Sequence, residues 1–304
     1  MITRFDHSVI AVRDLDAAIS TYQALGFAVS PGGRHTGLGT YNAIIRFGLD
    51  YLELLSVYDR VEAEQERGLA GKVLLDFFAQ REGGLVGYAL ATDAIEQEAE
   101  RFRGVGLQAE GPFGMQRMRP DGHLLSWSLL VPGGVSWRQR WPFFIHWDIP
   151  DEQRLAWEKP GAHANGVVRW TGIAIGVHDL ESAIDLYQRQ IGLTLEQRND
   201  VPVLAARGAT FRVGPSIIEL LAPTGEGPVQ HMLATVGEGP FEVRLAVREL
   251  NQTSAFLTQR GLHVTPSPTD PSALLLSPDQ ALGARLVLMQ QASEEQKSFG
   301  KETV

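Results

Sequence analysis

The stretch FDHSVIAVRDLDAAISTYQALGF, Phe5 to Phe27, changes its period halfway along. Up to Val12 it reads as a strand; from Leu15 onward, Leu15, Ala18, Ile19 and Tyr22 recur at three- and four-residue steps, the spacing of a helix with one apolar face. Asp14 stands at the junction, where a carboxylate accepts the unpaired N–H groups of a helix's first turn, and Gly26 suits the left-handed residue that ends a helix. The same order returns in VGYALATDAIEQEAERFRGVGL from Val86, WTGIAIGVHDLESAIDLYQRQIGL from Trp170 and FEVRLAVRELNQTSAFLTQRGL from Phe241. Asp93, Asp179 and Glu249 take the acid's place there, and Gly106, Gly192 and Gly261 the glycine's. Strand-like runs follow, among them YNAIIRFG, YLELLSV, LLSWSLLVP, PFFIHWD and SIIELLAP. Each unit reads as βαβββ, and four of them make an internal repeat.

With 304 residues, 44 % of them apolar, the chain is long enough for two domains with real cores. Polar residues, Pro and Gly interrupt the strand-like sequence between 150 and 170. The expected division is an N-terminal domain over 1–150, a linker over 151–168, a C-terminal domain over 169–291 and a polar tail over 292–304. No cysteine is present, which removes disulfides, thiolate ligands and cysteine nucleophiles. A formal charge of -9 argues against nucleic acid as partner, and no run reaches the roughly 20 apolar residues of a membrane span. A cytoplasmic protein is expected, with a small molecule as its partner and a homodimer allowed.

Through FDHSVIAVRDLDAA, PGGRHTGLGTYN and YLELL the first half resembles the glyoxalase-like branch of the vicinal oxygen chelate superfamily. The resemblance implies an α+β fold in which four βαβββ modules pair into two glyoxalase-like domains with cup-shaped mixed sheets. In that superfamily a divalent metal is held by side chains pointing into the cup from the first and last strands of paired modules. His7 takes the first of these positions and Glu53 in YLELL the second. Aligning Asp93 with Asp14 puts Val86 where His7 stands, so the second module offers no ligand there. In PFFIHWD, Phe144, His146 and Asp148 share a face, and His146 aligns with Glu53. The implied set is His7, Glu53 and His146, with Zn, Mn, Fe or Ni as the ion. The bland alternatives are a hydrogen-bonded core histidine at His7 and an inward Glu53 paired to Arg46.

The second half keeps the scaffold without the site: Gly172 replaces His7, Glu219 replaces Glu53, and Glu242 and Val287 fall in the strands of the fourth module. Glu219 and Glu242 are expected to be offset by Arg244 or Arg285. The loop PGGRHTGLGTYN, Pro31 to Asn42, lacks the Lys-Ser/Thr of a phosphate-binding loop and the third glycine of a dinucleotide fingerprint. It is expected at the mouth of the cup, with Arg34, Thr40 and Asn42 toward substrate and His35 as an acid or base; a plain glycine hairpin is the alternative. Arg119, His123 and Trp127 read as rim or packing residues. The resemblance implies a metal-dependent isomerase or lyase that chelates neighbouring oxygens of a small oxygenated substrate, with Glu53 or His35 moving the proton. A sequestering protein without catalysis is the alternative, and an extradiol dioxygenase the third.

Overall fold

A computed structural model describes residues 1–65, 70–119 and 122–291. The expected polar tail, 292–304, lies outside the described residues. In the first domain, β1 (Ile2–Val12) leads into α1 (Leu15–Ala24), then β2 (Ser30–His35), β3 (Thr40–Arg46) and β4 (Tyr51–Val57). After α2 (Arg60–Gln65) and α3 (Ala70–Gln80) the pattern repeats as β5 (Gly83–Thr92), α4 (Ile95–Gly104), β6 (Ala109–Met118), β7 (Leu124–Pro132) and β8 (Phe143–Trp147). All eight strands form one sheet in the order β2-β3-β4-β1-β5-β8-β7-β6. β1 runs parallel to β4 and β5 parallel to β8, while β1 and β5 pair antiparallel at the centre. The sheet curls until its edges β2 and β6 approach, with Gly32 and Gly33 against Arg117.

Helix α5 (Asp151–Trp157) follows. The second domain repeats the plan with β9 (Val167–Gly176), α6 (Leu180–Asp185), β10 (Leu195–Val201), β11 (Ala206–Val213), β12 (Ser216–Pro223), α7 (Pro228–Val236), β13 (Gly239–Val247), α8 (Leu250–Gln259), β14 (Val264–Pro266), β15 (Leu274–Leu276) and β16 (Leu286–Gln290). Its sheet order, β10-β11-β12-β9-β13-β16-β15-β14, matches the first strand for strand. This is the α+β architecture of four paired βαβββ modules that the repeat implied.

The glycine stops Gly26, Gly106, Gly192 and Gly261 all adopt left-handed φ values, between 73° and 88°. Asp14 and Asp179 cap their helices by accepting from the amides of Ala17 and Ser182. Asp93 does not: the N-cap of α4 is Ala94, and Asp93 binds the N-terminal amine of Met1 instead. Helix α4 therefore begins one residue later, relative to its acid, than α1 does.

Apolar side chains on the outer faces of both sheets, with α1, α4 and α6, form one cluster that runs through both domains. At the junction Phe5 stacks on Trp170 with ring planes 10° apart, and Tyr22 Oη donates to the carbonyl of Ala281 at 3.0 Å. Arg138 donates to the carbonyls of Gly237 and Pro240. On the inner face of the first sheet, Val9, Ala11, Val86, Ala89 and Phe143 form a second cluster, closed on one side by Leu74 and Phe78 of α3.

Candidate active site

The first cup encloses a cavity of about 90 Å³ lined by His7, His35, Thr40, Asn42 and Glu53, with walls from Tyr51, Trp127, Trp137, Phe143 and Trp147. Strand alternation brings these residues inward, and a shift in the pairing of β1 with β5 modifies it at His7. Between Phe5↔Leu90 and His7↔Ala89 the pairing of β1 and β5 shifts, so two steps along β1 match one along β5. A bulge of this kind turns successive side chains to the same side. Asp6 and His7 consequently both serve the cup, while Phe5 packs outward against Trp170.

The polar groups form a chain. Asp6 Oδ1 lies 2.7 Å from His7 Nδ1, which turns Nε2 toward Glu53 Oε2 at 3.6 Å. Tyr51 stacks on the His7 ring at 4.5 Å. Asn42 Nδ2 donates to Glu53 Oε1 at 2.5 Å and lies 3.2 Å from His35 Nε2, while His35 Nδ1 meets Thr40 Oγ1 at 2.9 Å. An amide nitrogen only donates, so His35 Nε2 accepts, and its Nδ1 carries the proton given to Thr40. Burial is the main reason the His35 imidazole lies below its ordinary value; Arg117 reinforces the shift and Glu53 opposes it.

Asp6 is fully buried and accepts from Arg4 Nη1 at 2.6 Å and Trp147 Nε1 at 3.0 Å. Burial pushes its carboxyl up, but Arg4, His7 and Arg154 outweigh burial and hold it well below the usual carboxylate range. Its charge therefore persists at neutral pH and fixes the His7 ring. Asp6 is the functional residue that sequence reasoning missed. A lone Asp before the histidine gives no inward signal unless a bulge is foreseen.

These features settle the family. Residues 5–178, more than half of the chain, match the family described as "Glyoxalase-like domain". The chain belongs to the glyoxalase-like domain family. Residues 172–275 also match the "Glyoxalase/Bleomycin resistance protein/Dioxygenase superfamily". A hypothetical protein from Staphylococcus aureus shares the fold at a TM-score of 0.71 and 16 % identity, over 96 % of this chain and 100 % of its own. Methylmalonyl-CoA epimerase from Mycobacterium tuberculosis aligns at a TM-score of 0.39 and 21 % identity, over 44 % of this chain and 95 % of its own. No curated protein matches the sequence.

Two expected members of the glyoxalase-like site stand elsewhere. Phe143, Ile145 and Trp147 line the cup, so His146 faces the other way, its Nδ1 2.9 Å from the carbonyl of Thr92. The alternation of β8 was read correctly, but its inward face was not. With α4 capped at Ala94, the residue of β5 equivalent to His7 is Gly87, and the residue of β8 equivalent to Glu53 is Phe143. A shift of one residue exchanges the two faces of a strand. Arg34 is exposed and lies over the Tyr58 ring at 4.5 Å, because it alternates with the inward His35. Arg46 does not pair with Glu53; it donates to Glu158 at 2.7 Å and reaches the cavity wall with Arg117.

Tested against a divalent cation, the cup supplies His7 Nε2 and the Glu53 carboxylate. A buried carboxylate on the far ring nitrogen is the usual support of a metal-binding histidine. The third donor is lacking, since His146 faces away and the Asn42 amide stands between His35 and Glu53. Among the described residues no group of three His, Asp or Glu side chains is arranged to hold a metal ion.

In the second cup the acids are held in ion pairs. Arg244 binds Glu219 through Nη2 and Glu242 through Nε at 3.0 Å, and Arg285 Nε meets Glu242 at 2.8 Å. Both arginines thus offset the acids, as expected from sequence. Glu219 is the counterpart of Glu53, opposite Ala174 of β9 as Glu53 is opposite Val9 of β1.

Proposed function

We propose that the N-terminal cup is the active site of an isomerase or lyase that moves a proton on a small oxygenated substrate of the α-hydroxycarbonyl type. The observation that carries this reading is the state of Glu53. It is 7 % exposed, and among the described residues no Lys or Arg is bonded to it, whereas Glu219 is held by Arg244. A carboxylate that no guanidinium or ammonium group engages leaves an oxygen lone pair free to face a substrate C–H.

Asn42 occupies Oε1 and leaves Oε2, on the His7 side, for the substrate. Glu53 takes the proton from the carbon beside a carbonyl. The C–H electron pair becomes a C=C bond, and the carbonyl π pair moves onto oxygen. Transfer of the hydroxyl proton to the former carbonyl oxygen and return of the first proton to the former carbonyl carbon complete an isomerisation; departure of a group from the β carbon, with the carbonyl re-formed, completes an elimination. His7, its ring fixed by Asp6, turns Nε2 toward the same space as Glu53 Oε2 and meets the substrate there.

Gly87 and Phe143 at the two symmetric positions favour a second reading, a cup that binds without reacting. Proton exchange separates the two. α-Hydroxy- and α-oxocarbonyl compounds incubated with the protein in deuterated water should lose their α-proton signal, and Glu53→Gln should abolish the loss. Binding of such compounds with no exchange in the wild type would establish the sequestering protein instead.

A further inference from the structure

We infer that the substrate of this cup carries a carboxylate, bound by Arg46 and Arg117 at the end nearest α5. The inference deepens the proposed function and rests on its placing the reaction at Glu53. Both arginines are only 8 % exposed, and both line the cavity. Arg46 Nη1 is buried with no hydrogen-bond partner. Among the described residues Arg117 makes no hydrogen bond; its nearest carboxylate is Glu158, 4.0 Å away.

The carboxylate nearest the two arginines is already shared. Glu158 receives Arg46 at 2.7 Å, Arg154 at 3.1 Å and Arg119 at 3.3 Å, so a single carboxylate already serves three guanidinium groups before Arg117 is counted. Asp6 serves Arg4, His7 and, at 3.9 Å, Arg154. A buried cation without a partner is costly, and an arriving anion removes that cost. A guanidinium presents its donors as a planar fork, which a carboxylate matches with two parallel bonds.

Arg46, Arg117 and Ile44 also border a neighbouring cavity of about 460 Å³, whose wall includes Arg119, Glu158 and Lys159. The two arginines therefore stand at the throat between a basic chamber and the aromatic cup. The opposite end, at Leu38, Met115 and Leu129, is apolar. A ligand suited to this gradient has a carboxylate at the throat, its reacting carbon beside Glu53, and an apolar remainder toward Met115.

The test measures binding by quenching of tryptophan fluorescence, using 2-oxo carboxylates of three to nine carbons, each beside its neutral amide. The expected result is that carboxylates bind at least about tenfold more tightly than their amides, a difference of roughly 1.4 kcal/mol. In Arg117→Met the preference should fall to within about threefold, and Arg117→Lys should restore part of it, with unchanged melting temperatures showing that both variants fold. Equal affinity for acids and amides in the wild type, or an undiminished preference in Arg117→Met, would overturn the inference. Glu53→Gln keeps the two ideas apart. If it retains the carboxylate preference while α-proton exchange continues, the arginine site stands and the proposed role of Glu53 falls.

Discussion

Asn42 ties the cup together at the scale of single residues, because one amide nitrogen contacts both Glu53 and His35. Replacing it by Leu leaves two buried polar groups unpaired, and a stability loss of about 1–3 kcal/mol in urea unfolding is expected. No measurable loss would mean that water substitutes for the amide. His35 gives a pH prediction with a definite sign. Burial, with Arg117 and against Glu53, keeps its folded value below 6.5, so the unfolded chain binds its proton first as pH falls. The stability this group contributes is complete above 6.5 and is lost as pH drops through the folded value. The urea midpoint should therefore decline between pH of about 7.5 and 5.5, and decline less in His35→Gln; parallel slopes would remove His35 from the account. His7 and Glu53 stand in strand-like runs whose alternation is legible in the sequence, whereas His35, Thr40 and Asn42, expected in a loop, lie in β2 and β3. Asp6 could not be read in this way, since a bulge is a property of two strands paired together.

Elements decide what each face shows. The stretch Pro31 to Asn42 is a hairpin, with β2 and β3 joined by a turn over Thr36 to Gly39, rather than a loop over the mouth. Its glycines serve space as much as conformation. A Cβ on Gly32 would stand 1.8 Å from Asn42 Oδ1 and 2.8 Å from Arg117 Nη1, so Gly32→Ala must displace both. We expect a cost of about 1–3 kcal/mol and a larger fall in kcat than in folding yield, measured by proton exchange and urea unfolding. The expected linker is likewise more than a tether: α5 lays Arg154 over the Trp147 ring at 3.6 Å and, with Glu158, closes the basic end of the cup. Sequence reading missed this because a short polar helix and a polar linker have the same composition. It also placed His146 inward, because Asp93 resembles a cap yet lies one residue ahead of the true one.

Across the whole molecule one scaffold was used twice, and among the described residues Glu219 is bonded by an arginine while no Lys or Arg is bonded to Glu53. The repeat was legible because each module carries its own acid, helical period and glycine, and the βαβββ order follows from them. The joint between the domains was not, since Phe5 and Trp170 meet from distant parts of the chain. Trp170 is 1 % exposed; Trp170→Ala should cost about 3–5 kcal/mol and turn one cooperative unfolding transition into two. A single unchanged transition would show that the shared cluster does not couple the domains.

Glu53 and Glu219 occupy matching places in the two cups; among the described residues no Lys or Arg is bonded to Glu53, while Arg244 binds Glu219. The most direct measurement is α-proton exchange by Glu53→Gln and Glu219→Gln side by side, with melting temperatures confirming that each is folded. Exchange abolished in Glu53→Gln and kept in Glu219→Gln is the predicted result. Exchange that survives in Glu53→Gln, or fails only in Glu219→Gln, would contradict the assignment of the reaction to the first cup.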